Sequence, residues 1–118
     1  MPNDNPHRRS CDSERARDTA SSHKPQYFSL GRLLATPGAL AHLQRCNRHP
    51  LELIARHHSG SWGDLDEDDC RANEEAIKTG ARLFSAYLVS GVKVYVITEA
   101  EDDNDQRACT TVLLAEEY

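Results

Sequence analysis

Residues 82–99, RLFSAYLVSGVKVYVITE, constrain the fold more than any other stretch. Two runs rich in β-branched and aromatic residues flank Ser90-Gly91. Such side chains suit a pleated, half-buried surface. A two-residue link containing Gly suits a tight hairpin. Along the second run Val92, Val94 and Val96 fall on one side, and Tyr95 and Ile97 on the other. That is the period of a strand. A polar stretch, EAEDDNDQRA, leads to a third run, CTTVLL. Three such runs predict a three-stranded antiparallel meander, whose apolar face must be covered by something else.

The cover is expected from the preceding residues. Thr36-Pro37 reads as an N-cap followed by Pro at the first helical position. Leu40 and Leu43 then give residues 37–45 one apolar face. Pro50 opens a second helix with Leu51, Ile54 and Ala55 on one side, and Gly60 closes it. Asp66 caps a third, whose acidic first turn suits the helix dipole and whose stop is Gly80. Residues 27–34 are expected to hold a short strand or a docking segment. The fold expected is α+β: two or three short helices packed on the meander, in a single domain over 27–118. Residues 1–26 have little to bury and read as a disordered basic tail.

Charge narrows the partners. The chain carries 14 Lys and Arg against 19 Asp and Glu. The tail holds five of the cations and four of the acids, so the body keeps nine against fifteen. An acidic body repels phosphate and favours a basic protein surface. No apolar run reaches the roughly 18 residues that a membrane span needs, and no signal core is seen. A soluble, cytoplasmic protein is expected, with no membrane partner. Cys11, Cys46, Cys70 and Cys109 show no CxxC spacing, and free thiols are expected.

Four segments, TPGAL, ARHHSGSWGDLDEDDCRANEEAIKTGARLFSAY, VYVITEA and TTVLLAEEY, carry a resemblance. Together they resemble a family of small proteins of bacterial plasmids and integrative elements. Its pattern runs RHxSGDWGDLDxxDxxxNExAxxxGxRLLSAY, then an ITEaD segment and TTVLLPEEY. The likeness spans roughly residues 33–118. It implies a context rather than an activity: mobile DNA and its conflict with host defences. By analogy, small acidic proteins of such elements inhibit CRISPR or restriction complexes. This chain has Ser61 where the pattern has Asp, Tyr95 where it has Trp, and a longer, more acidic loop before the last strand.

The chemical candidates cluster at 57–69, HHSGSWGDLDEDD. Asp64, Asp66, Asp68 and Glu75 echo the spacing of a calcium loop, but Asp69 stands where Gly must turn the chain. Cys46, His49, His57 or His58, and Cys70 offer zinc-type ligands without a tight motif. Ser59, Ser61 and Cys70 lie near His57, yet no nucleophile elbow surrounds them. No phosphate-binding or dinucleotide fingerprint occurs. No catalytic, metal or cofactor residue is therefore assigned. The binding residues expected are Trp62, Asp64, Asp66, Asp68, Asp69, Glu101, Asp102, Asp103 and Asp105. The function expected is a non-enzymatic mobile-element protein that inhibits or modulates a CRISPR effector or restriction complex. Its acidic surface would meet that partner's basic, nucleic-acid-binding groove, without the body binding nucleic acid itself. One alternative is a small metal-dependent or catalytic module using His57, Trp62 and Asp64. Another is an adaptor whose basic tail binds RNA.

Overall fold

The computed structural model describes residues 28–118; the tail expected over 1–26 lies outside them. The order is β1 (Arg32–Ala35), α1 (Pro37–Arg45), α2 (Pro50–His58), α3 (Glu67–Thr79), β2 (Leu83–Val89), β3 (Val92–Thr98) and β4 (Cys109–Leu114). A short 3-10 turn, Ala115–Glu117, follows. The class is α+β, as expected.

Local chemistry sets the helix ends. The Thr36 hydroxyl accepts from the Ala39 N–H at 3.1 Å, and Pro37 begins α1. Before α2, the His49 ring nitrogen accepts from the Leu51 N–H at 3.1 Å. Asp66 accepts from the Asp69 N–H at 2.9 Å to start α3, and Gly80 ends it at φ 85°. The hairpin from β2 to β3 turns on Ser90 at φ 49° and Gly91 at φ 81°. Two positive φ angles match the right-handed twist of the strands they join.

The sheet corrects the expected meander. It has four strands in the order β1-β4-β3-β2. β2, β3 and β4 are antiparallel neighbours, but β1 adds to β4 in parallel, with Arg32 opposite Cys109 and Ala35 opposite Val112. Three of the four β1 residues are exposed, so the strand lacks the alternation by which a sequence announces one. Backbone bonds to a distant segment hold it instead. The Arg32 N–H donates to Ala108 and the Thr36 N–H to Val112, each at 3.0 Å.

All three helices supply residues to the packing on one face of the sheet. Ala39 and Leu43 of α1 and Leu53 and Ile54 of α2 pack on Val89, Val94, Val96 and Val112. A second cluster joins Phe28, Trp62, Cys70, Ala76 and Leu83. Burial of these side chains supplies about 1.5–3 kcal/mol for each large one, offset by the entropy of ordering the chain. No described helix is long and apolar enough to cross a membrane.

Candidate functional site

The segment 57–69 links α2 to α3 and runs along the outer edge of β2. Gly63 bridges Ala86 in parallel. The Ala86 N–H donates to the Trp62 carbonyl at 3.2 Å, and the Asp64 N–H donates to the Ala86 carbonyl at 2.7 Å. One step along the strand, Asn73 of α3 does the same work with its side chain. Its amide donates to the Phe84 carbonyl at 2.7 Å and accepts from the Phe84 N–H at 3.1 Å. The edge of β2 is thus satisfied by protein along most of its outer length. Gly63 is needed for this: its φ is 81°, and a Cβ there would collide with the Ala86 carbonyl and the Tyr87 ring.

Trp62 is fully buried beneath that edge. Its indole N–H donates to Glu74 at 3.2 Å, Phe28 stacks on it at 6.3 Å, and the edge of the His57 ring meets it at 5.6 Å. A side chain with no exposed surface cannot meet a partner, so Trp62 is a core anchor and the expectation of a binding residue is corrected there.

His57, at the last turn of α2, is also fully buried. Nδ1 lies 2.5 Å from the Ser85 hydroxyl and Nε2 lies 2.9 Å from the Thr98 hydroxyl. Thr98 continues to the Thr110 hydroxyl at 2.7 Å, and Thr110 donates to the Leu30 carbonyl at 2.8 Å. A carbonyl only accepts, so this last bond fixes the direction of all the others. Thr110 spends its proton on Leu30, and Thr98 therefore donates to Thr110. His57 donates from Nε2 to Thr98, leaving Nδ1 to accept from Ser85. The ring is a neutral Nε2–H tautomer. Burial, with His58 and Arg107 adding to it, pushes His57 down from 6.5 to about 3. A serine beside a histidine resembles half of a nucleophilic triad. Here the serine is itself fully buried, and the third group is a threonine rather than a carboxylate. Asp64, the third member of the proposed catalytic module, is exposed and does not join His57 and Trp62.

The acidic residues form two groups that the fold keeps apart. Asp64, Asp66, Asp68 and Asp69 lie at the start of α3, all exposed. Asp66 is the cap, and Asp68 pairs with Arg71 at 2.8 Å in open solvent. The second group lies against the other end of the helix, where the Glu101 N–H donates to the Gly80 carbonyl at 2.7 Å. A helix of 13 residues separates them by about 20 Å. Within the second group Asp102 folds its own loop: its carboxylate accepts from the N–H groups of Asn104 at 2.8 Å and Gln106 at 3.0 Å. Glu101 stands 3.8 Å from Arg107. The buried Arg107 donates to the carbonyls of Ala81 at 2.7 Å, Glu99 at 3.0 Å and Ala76 at 3.2 Å. It clamps both ends of the loop to α3. Asp103 and Asp105 are left pointing outward without such duties.

Among the described residues, no group of three or more His, Cys, Asp or Glu is arranged to hold a metal ion. The zinc-type set is scattered: Cys46 Sγ lies 3.6 Å from His42, while His49 caps α2 and His57 faces Ser85. Cys46 and Cys109 are free thiols; Cys70 is not one of them, a departure from the expectation. The RNA-arm alternative concerns residues outside the described ones. Sequence reasoning missed Ser85, Thr98, Thr110 and Arg107, and it read Asn73 only as part of the inner face of α3, not as a partner of the β2 edge. For Asn73 there was a signal: a polar residue at 3.6-residue spacing on the inner face of α3, between Cys70 and Ile77.

Comparison with protein-family models, with curated proteins and with solved structures yields no match.

Proposed function

We propose that the chain is a non-enzymatic binding protein of a mobile element, which docks its acidic loop 101–106 on the basic, nucleic-acid-binding surface of a host defence complex. A CRISPR effector or a restriction enzyme is the kind of partner meant. The mobile-element context rests on the resemblance alone. The docking rests on one observation: the loop is held in shape by Asp102 and Arg107, while Asp103 and Asp105 project into solvent. A loop already ordered loses little further entropy on binding. Its position adds to this reading. It lies against the C-terminal end of α3, where the helix dipole reinforces negative charge. The acids at the N-terminal end are partly compensated by the dipole and by Arg71.

The test compares wild type with an Asp103→Lys, Asp105→Asn double variant in binding to purified defence complexes. Asn tolerates the positive φ of 60° at position 105. A loss of roughly tenfold or more, with affinity falling as salt rises, is expected. Binding that ignores both the double variant and salt defeats the acidic-docking reading.

A further inference from the structure

The connection between α1 and α2 folds around an open cleft of about 310 Å³, lined by Leu40, Gln44, Arg48, His49 and Pro50. Its lining divides in two. Leu40 and Pro50 supply hydrocarbon, and Leu40 is 45% exposed. The other three supply hydrogen-bond donors. The His49 ring accepts the Leu51 N–H at Nδ1, 3.1 Å away, so the neutral ring carries its proton on Nε2. Arg48 spends Nε on Glu52 at 3.0 Å. Its two terminal nitrogens, like the Gln44 amide, meet no protein acceptor among the described residues. The acid beside them, Glu52, is already engaged, by Arg48 and by the His49 N–H at 3.4 Å.

Charge sets these surroundings apart from the rest of the body. Residues 28–63 carry Arg32, Arg45, Arg48 and Arg56 against Glu52 alone. Residues 64–118 hold the other five cations and the other fourteen acids of the body. Of those acids, Glu117 reaches the N-terminal end of α1, where the Thr36 hydroxyl and the Leu114 N–H hold it. From Gly38 at that end to Gln44 is about 9 Å along the helix. Salt screens charges beyond roughly 8–10 Å. The cleft therefore answers to its nearby arginines more than to the net charge of the chain.

We infer that this cleft binds a small organic carboxylate, with an aliphatic or aromatic body of about ten heavy atoms. The anionic end satisfies the open donors of Arg48, His49 and Gln44, and a guanidinium can meet both carboxylate oxygens at once. The hydrocarbon end covers Leu40 and Pro50 and removes their surface from water. Inorganic phosphate supplies only the first half of this match, and a neutral amide lacks the charge. The cleft is built by α1 and α2, and the acidic loop 101–106 contributes nothing to it. The two proposals therefore stand or fall separately.

The probe is benzoate, titrated into the isotope-labelled full chain and followed by NMR at backbone and side-chain N–H groups. Benzamide and inorganic phosphate serve as comparisons. Expected are saturable shifts at Gln44, Arg48 and His49, with a Kd on the order of 1 mM. Benzamide and phosphate should each bind at least about fivefold more weakly. Arg48→Gln should weaken benzoate binding about tenfold. Its ion pair with Glu52 is solvent-exposed and adds little to stability, so the variant should fold. Leu40→Glu, at an exposed helix position, should weaken binding as much and keeps the test open if Arg48→Gln does not fold. Asp103→Lys should leave it unchanged. No saturable shifts, or shifts centred on other residues, overturn the proposal. So does benzamide or phosphate binding as tightly as benzoate, or an affinity that Arg48→Gln and Leu40→Glu leave unaltered.

Discussion

β2 and β1 lie at opposite edges of one sheet and meet opposite treatment. The β2 edge is sealed by Trp62, Asp64 and the Asn73 side chain, each bonded to a backbone group that would otherwise face out. Among the described residues the β1 edge has no strand beyond it, and Leu33 is 45% exposed there. An unpaired edge invites pairing with other chains, and proteins blunt it by shortening it, charging it or covering it. This molecule covers the long edge, seven residues of β2, and leaves the short one, four residues including Arg32. The lesson is that the segment with the most chemical promise, SGSWGDLD, serves as a cover. Its glycine, its tryptophan and the Asn73 that follows share one task at one strand.

Acid is the strongest way to break the covered side. The folded protein keeps His57 neutral down to about pH 3, whereas the unfolded chain protonates it near 6.5. Between those values the unfolded state binds more protons, so stability falls as pH drops. The full span corresponds to about 4–5 kcal/mol, near 1.4 kcal/mol per unit. Urea midpoints at pH 7, 5.5 and 4.5 should show it. His57→Gln keeps one acceptor and one donor and should flatten the slope; an unchanged slope would remove His57 as its source.

Gly63→Val comes next, at about 3–4 kcal/mol, because it sets a β-branched side chain at positive φ against a backbone carbonyl. Thermal unfolding reads it directly. Asn73→Leu should cost about 2 kcal/mol, leaving the Phe84 N–H and C=O without their partner. Hydrogen exchange at the Phe84 amide should rise along with it. On the open edge, Leu33→Lys should change stability by no more than about 0.5 kcal/mol. A cost like that of Asn73→Leu would show that the β1 edge is covered after all.

What was legible in the sequence follows the range of the interaction. Thr36, Asp66 and Gly80 act on residues a few places away, and their signals predict the helix ends. The β2–β3 hairpin was legible for the same reason, through its alternation and Ser90-Gly91. β1 was legible only as a short strand or docking segment over 27–34; its place beside β4 was not, because four mostly exposed residues carry no period and their partner strand starts at Cys109. Nor was the polar chain. Ser85, Thr98 and Thr110 read as ordinary strand residues until α2 brings His57 between them. The acidic residues were legible as charge but not as duties: Asp66 and Asp102 spend their carboxylates on the backbone, and only the fold distinguishes them from Asp103.

The parallel pairing of β1 with β4 also dictates an order of assembly. Among the described residues, β1 pairs only with β4, which is the last of the strands to follow it in the sequence. During synthesis the helices and the β2–β3 hairpin have local contacts to make, whereas the pairing of β1 waits for β4. Until β4 is made, the β1 backbone therefore lacks the partner that it has in the folded sheet. Only when the last strand emerges does the sheet close, joining the earliest and latest of the described strands in one step.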